Sequence, residues 1–187
     1  WFNHISNKLF NCSNSFEIAK INNIPVVIAD IGSNSKDYVS FISSDNKKGA
    51  YELGKILAKH MKNLSWNKEG TVGIISIPQK RTNGKDRTLG FIQALDEESI
   101  KVSGFYQQVD FSYEETYNYS KKLIEENKNL RAIWLQGSDK YKGALDAIKE
   151  ANKQKEIALI CFDAEPEFLE MIQNGDLVAS AMQQPYM

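Results

Sequence analysis

The chain has 187 residues, 42% of them hydrophobic and 25% charged, enough to bury a core as one domain, or as one domain and part of another. Its 23 basic and 24 acidic residues leave a formal charge of -1, which supplies no drive toward a phosphate backbone and argues against nucleic acid as a partner of this segment. The 2 cysteines, Cys12 and Cys161, exclude a disulfide scaffold, and no apolar run approaches the roughly 20 residues of a membrane helix.

Residues 1–15 carry no pattern that can be assigned, and Asn, Ser and aromatic residues dominate before Ile24. Cys12 follows Leu9-Phe10-Asn11 in a segment too polar for a signal-peptide core, so it is discounted as a lipid-anchor site. The chain opens on Trp1 rather than Met and is expected to be a piece of a longer protein.

From Ile24 onward one rhythm dominates. Val26–Ala29, Val72–Ile77, Val102–Tyr106, Ala132–Leu135, Ile157–Phe162 and Val178–Met182 have the length and the Val, Ile and aromatic content of buried strands, most of them near-continuous. Between them lie stretches with helical spacing, marked by Leu53, Ile56, Leu57 and Met61, by Leu89, Ile92 and Leu95, by Thr116, Ser120, Leu123 and Ile124, and by Leu145, Ile148 and Ala151. Strand and helix alternate, which predicts an α/β fold: a doubly wound parallel sheet with helices on both faces and right-handed crossovers. Asp45-Asn46, Ser112 with Glu115, and Ser138-Asp139 read as helix caps. Lys47-Lys48 and Lys121-Lys122 read as solvated helix faces, and Cys161 as a small core residue.

Isolated polar residues fall just past the apolar runs, where an open parallel sheet forms its ligand crevice. Asp30 follows Val26–Ala29, at the end of a strand expected to be buried, as a bidentate acceptor for neighbouring hydroxyls, with capping of a following turn as its alternative; Asp163 repeats this after Ile157–Phe162. Arg87 is placed in the first turn of a helix starting near Asn83, its guanidinium suited to a carboxylate or to sugar oxygens, with surface pairing to Asp86 or Glu98 as the alternative. Phe111 offers a ring at a strand exit, with a core role as its alternative, and Gln183 an amide that bridges two hydroxyls or satisfies a loop.

Catalytic constellations are missing. There is no G-x-G-x-x-G after a strand, no phosphate-binding G-x-x-x-x-G-K-[ST], no G-x-S-x-G and no H-E-x-x-H. His4 and His60 make no metal-ligand spacing with a cysteine, and His60 reads as a favourable partner for a helix C-terminus. The turn from Pro78 to Asp86 holds a single glycine, Gly84, too little for a phosphate cradle, so a nucleotide-using enzyme is the least favoured reading. No catalytic residue, no metal and no cofactor are expected.

Ile24-Pro25-Val26-Val27-Ile28-Ala29-Asp30, Phe41-Ile42-Ser43-Ser44-Asp45-Asn46-Lys47-Lys48-Gly49-Ala50, Arg87-Thr88-Leu89-Gly90-Phe91, Gly143-Ala144-Leu145, Cys161-Phe162-Asp163 and Ala179-Ser180-Ala181-Met182-Gln183-Gln184-Pro185 follow in an order and spacing that resembles the periplasmic sugar-binding proteins of the ribose-binding type. That fold is shared with the effector domains of lactose-repressor-like regulators. The resemblance covers about residues 20 to 187 and implies two α/β lobes enclosing a ligand at a hinge. By comparison, residues 1–44 would be a remnant of the N-terminal lobe with a hinge crossing, and residues 45–187 the C-terminal lobe, ending at another crossing. The opening elements of the first lobe and the final return to it would be absent.

Carried over from the resemblance, Asp30 is a hydroxyl-binding acid, Arg87 the arginine that reaches the sugar, Phe111 a stacking ring, Asp163 a second acceptor and Gln183 a hinge-side amide. Two positions depart from it: Ile31 replaces a basic residue, and Gly137 stands where an asparagine is expected. Both lose hydrogen-bonding capacity and point to a ligand other than ribose, with Ser138 and Asp139 as replacements; Trp134 reads as core. The resemblance implies non-enzymatic binding of a sugar-like solute in an interlobe cleft for an ABC-type transporter, by a monomer outside the cytoplasm that meets a membrane permease. The ligand-sensing ectodomain of a signalling receptor, or the effector domain of a lactose-repressor-like regulator, is the alternative. Arg87→Ala is expected to abolish ligand-induced stabilisation and leave the unliganded melt nearly unchanged.

Overall fold

A computed structural model describes residues 13–33 and 35–183. His4 and Cys12 lie outside the described residues, as do Gln184 and Pro185. The chain divides into two compact units, Trp1–Ser43 and Ser44–Met187.

The first unit contains helix α1 (Ser13–Ile21) and strands β1 (Val27–Ala29) and β2 (Ser40–Ile42), paired in parallel with Val27 opposite Ser40 and Ala29 opposite Ile42. The sequence pattern missed α1 and β2. The burial expected around Asp30 is not found: Val27 is 55% exposed and Asp30 is exposed, because a two-stranded ribbon has too little surface to cover its own faces.

The second unit is built on five parallel strands in the order β4-β3-β5-β6-β7, where β3 is Thr71–Ser76, β4 Lys101–Gln107, β5 Leu130–Leu135, β6 Ala158–Phe162 and β7 Ser180–Ala181. Five helices join or follow them: α2 (Asn46–Asn63), α3 (Thr82–Glu97), α4 (Tyr113–Glu126), α5 (Tyr141–Glu150) and α6 (Phe168–Asn174). Successive residues of each central strand serve opposite layers. Ala132, Trp134, Ile160 and Phe162 pack with Leu53, Leu57 and Met61 of α2 and with Phe91 and Leu95 of α3. Ile133, Leu135, Leu159 and Cys161 pack with Leu123 of α4, Ile148 of α5 and Met171 of α6. The sheet is therefore covered on both faces, and its central strands are continuous apolar runs for that reason.

Side-chain caps set the starts of two helices. Asp45 caps α2 by accepting from the Lys48 N–H at 3.0 Å, and Ser112 caps α4 by accepting from the Glu115 N–H at 3.0 Å. Ser138-Asp139 do not cap α5: it begins at Tyr141 after Lys140, with no side-chain cap. The Ser138 hydroxyl instead donates to Glu165 at 2.7 Å, while Asp139 pairs with Lys140 at 3.4 Å. Two faces also differ from the periodicity. Leu89 of α3 is 48% exposed because Arg87, Gly90, Phe91 and Ala94 turn inward, and β4 alternates exposed and half-buried positions because it is an edge strand.

His60 lies in the last turn of α2, its ring edge-on to Trp66 at 6.1 Å. Burial lowers its pKa below the usual 6.5, so it is held neutral there rather than acting as the charged helix partner the sequence suggested. The unfolded chain takes up that proton first, so stability is full above about pH 6.5 and falls as pH drops toward the depressed folded value. Glu97, Glu98 and Glu156, held below 4.5 by hydrogen bonds from Tyr51, Lys62 and Lys153, titrate under that window. Melting temperature measured between pH 7 and 5 is expected to decline less steeply in His60→Phe than in the parent.

Candidate functional site

All five strands of the second unit are parallel, so their carboxyl ends share one edge. The chain leaves β3 outward to β4 and returns across β3 to β5, which puts the topological switch point, where open α/β sheets bind ligands, between β3 and β5. Arg87, Phe111, Gly137, Asp163 and Gln183 all follow strand exits on that edge. Asp30 belongs to the other unit.

Arg87 sits in the second turn of α3, not the first, because the helix begins at Thr82. It is 3% exposed, and neither Asp86 nor Glu98 is its ion-pair partner. Its Nε–H donates to Asn46 Oδ1 at 2.8 Å, and Nη1 donates to the Gln136 carbonyl at 2.6 Å and to Asp163 Oδ2 at 3.3 Å. The guanidinium plane lies over the Phe162 ring, 3.8 Å from its centroid. A buried cation needs such partners, because each lost hydrogen bond leaves charge in a poorly polarisable medium.

Asp163 continues this chain of contacts. Its Oδ1 accepts from Gln183 Nε2 at 2.5 Å, and Gln183 Oε1 accepts from the Ser44 hydroxyl at 2.8 Å. The Asp163 side chain is 35% exposed, so one carboxylate joins a buried arginine to a surface that solvent reaches. Arg87, Asp163 and Gln183 are therefore brought into direct contact, and Asn46, Gln136, Phe162 and Ser44 join them. Those four were missed as site residues, although Asn46 and Gln136 carried the same signal: a polar residue abutting an apolar run or a helix cap.

Phe111 is half-buried outside both core clusters, with the Arg81 guanidinium 5.5 Å from its ring centroid. One carboxylate fixes its loop: Glu115 accepts from the backbone N–H groups of Val109, Asp110 and Phe111 at 2.7, 3.1 and 2.9 Å. Gly137 has open space beside it, since an added Cβ would meet only Asp139 Oδ1 at 3.8 Å and Ile77 Cγ2 at 4.0 Å. Trp134 is core, stacked on Phe91 with centroids 3.8 Å apart. Ser138 and Asp139 are engaged with Glu165 and Lys140 as described above.

Seven described residues other than glycine have positive φ. Asn23, Ser65, Ser99 and Asn152 lie just past the ends of α1, α2, α3 and α5, the usual place for a left-handed residue. Asp30 (φ 68°), Phe111 (53°) and Asp163 (70°) instead follow strands, and all three are candidate ligand residues. Strain in this position is held only where surrounding contacts impose it, and it gathers at functional sites.

Among the described residues no cluster of three or more His, Cys, Asp or Glu is arranged to hold a metal ion, and no helix is long and apolar enough to cross a membrane. A shallow depression lies at the opposite edge of the sheet, bordered by His60, Trp66, Lys155 and Val178 among others, and by none of the candidate residues.

Residues 12–187 match the family model described as a periplasmic binding protein domain. The chain belongs to that family. Members of the family are binding proteins, and the parallel α/β sheet with its helices matches the type I fold of solved periplasmic binding proteins. The chain is 29% identical over 174 residues to the ribose import binding protein RbsB of Haemophilus influenzae, covering 92% of this chain and 56% of RbsB. It is 27% identical over 143 residues to the transcriptional repressor PurR of Escherichia coli, covering 75% of this chain and 40% of the repressor. A solved ABC transporter solute binding protein from Burkholderia multivorans superimposes with a TM-score of 0.79 at 26% identity, over 93% of this chain and 62% of that one. The chain thus spans about half the length of the curated relatives it matches.

Proposed function

We propose that the protein binds a small polar solute, a sugar or sugar-like polyol, without chemical conversion, and hands it to an ABC-type transport system. The observation that carries this reading is the Arg87–Asp163–Gln183 chain at the carboxyl edge of the sheet. It combines a buried guanidinium, a partly solvated carboxylate and an amide in fixed orientations, a donor and acceptor set suited to neighbouring hydroxyls. Phe111 supplies an apolar face for a sugar ring, and Gly137 the room for a substituent. Asp30 is assigned to the ligand on its place just after β1 and on the resemblance. The name of RbsB supports the ligand class, the family supports a location outside the cytoplasm, and the partner in this reading is a membrane permease meeting a monomer.

The test is a melting series of the intact protein with pentoses, hexoses and polyols. Binding to the native state at about 100 times Kd adds roughly 2.7 kcal/mol, a rise of about 5–10 °C for a protein of this size. No rise with any of them, confirmed by calorimetric titration, removes the sugar reading. In the same series Gly137→Asn is expected to melt within about 2 °C of the parent, because the added Cβ meets no atom closer than ordinary contact, and to change the order of preferred sugars. The likeness to PurR favours a second reading, the effector domain of a regulator, which sequence-specific DNA binding by the intact protein would select.

A further inference from the structure

The turns after β3 and β5 contain a polar cluster that no strand or cap pattern singled out. The Gln136 side chain, fully buried, donates through Nε2 to Thr88 Oγ1 at 2.5 Å. Thr88 Oγ1 donates to Gln79 Oε1 at 2.8 Å, and Gln79 Nε2 donates back to Gln136 Oε1 at 3.3 Å. Each side chain gives one hydrogen bond to the next and takes one from the last, so the three form a closed ring.

Backbone groups tie the ring to its surroundings. The Ile77 N–H donates to Gln136 Oε1 at 3.2 Å, Gln79 Nε2 also donates to the Ile77 carbonyl at 2.9 Å, and the Gln79 N–H donates to Gln107 Oε1 at 2.9 Å. The ring therefore clamps the exits of β3, β4 and β5 to the second turn of α3, across the topological switch point. Arg87 is connected to it twice. Thr88 is its neighbour in the chain, and the Gln136 carbonyl accepts from its Nη1 at 2.6 Å.

We infer that the Gln79–Thr88–Gln136 ring positions Arg87, fixing both the helical turn that carries it and a backbone carbonyl that orients its guanidinium. This rests on the reading of Arg87 as a ligand-binding residue. A hydrogen-bonded ring in a low-dielectric interior is all-or-none in character: removing one member leaves the others with unmatched donors and acceptors and frees the segments they joined. Thr88 is the member through which the helix takes part. Its hydroxyl accepts from one glutamine and donates to the other, a pair of tasks valine cannot perform at the same volume.

The test compares Thr88→Val and Thr88→Ser in the intact protein with two readouts. One is the Arg87 Nε–H resonance and its solvent exchange in the ligand-free state; the other is calorimetric affinity for D-ribose, L-arabinose and D-galactose. Thr88→Val is expected to shift the Arg87 resonance, speed its exchange about 10-fold and weaken the best-bound sugar about 10-fold, the scale of one lost hydrogen bond, while Thr88→Ser restores both. Leu130→Val, at the far end of β5, lowers the melt without moving either. An unchanged Arg87 resonance and unchanged affinity in Thr88→Val overturn the positioning role, whatever happens to the melt. If the parent binds none of the three sugars, the sugar reading fails and the Arg87 resonance alone decides the ring.

Discussion

Arg87→Ala is expected to abolish the ligand-dependent rise in melting temperature and also to lower the melt of the unliganded protein by about 5–10 °C. The second effect departs from the expectation from sequence that the unliganded melt would stay nearly unchanged. At 3% exposure, with Asn46, the Gln136 carbonyl and Asp163 arranged around it, the guanidinium is part of the interior. Removing one partner of a buried ion pair costs about 3–5 kcal/mol, and the partial exposure of Asp163 lowers that to roughly 2–3 kcal/mol, since water can take over part of its solvation. Arg87→Lys keeps the charge but not the planar fork, so it should recover some of the melt and little of the ligand response. Differential scanning fluorimetry with and without a saturating sugar separates the two effects. A ligand response equal to the parent's in Arg87→Ala would remove Arg87 from the site.

Gly90→Ala is expected to lower the melt by about 2–12 °C and to weaken ligand binding, although Gly90 is not among the candidate ligand residues. Helices α2 and α3 cross so closely that a Cβ at Gly90 would stand 2.0 Å from the Lys47 carbonyl oxygen and 3.1 Å from the Tyr51 nitrogen. Backbone cannot step aside as a flexible side chain can. The helices must separate, at about 1–3 kcal/mol for overpacking of this kind. The separation falls beside Asn46, so the 2.8 Å bond from Arg87 Nε is the first lost. Chemical denaturation and calorimetric titration on one preparation check both halves. An alanine at Gly90 that melts and binds like the parent would show that the crossing is looser than described.

Much of the fold was legible because burial on both faces writes itself into sequence as unbroken apolar runs. Val72–Ile77, Ala132–Leu135 and Ile157–Phe162 are such runs, and β3, β5 and β6 lie within two residues of them. The elements that were missed lack that pressure. In β2 all three residues are exposed, and in α6 only Phe168 and Met171 are buried, so neither carries a recognisable period. The site was half legible for a related reason. A polar residue directly after an apolar run, such as Asp163, stands out against its background. Gln136, in the same situation, was passed over for the Gly137-Ser138 that follows it, and Thr88 and Gln79 have ordinary helix and turn surroundings. Their meaning lies in side chains far apart along the chain that meet only after folding, and no local spacing encodes that. The cap assigned to Ser138-Asp139 failed in the same way, because Glu165, 27 positions on, outcompetes the helix for the serine hydroxyl.

Under the proposed binding role, the left-handed backbone at Phe111 and Asp163 sets heat resistance against capture of a solute at these positions. Glycine adopts such a conformation without steric conflict, and replacement by it would recover on the order of 1 kcal/mol of backbone strain at Phe111 while deleting the ring. A library selected only for thermal endurance would drift toward that change and accumulate sturdy molecules that no longer take up their cargo.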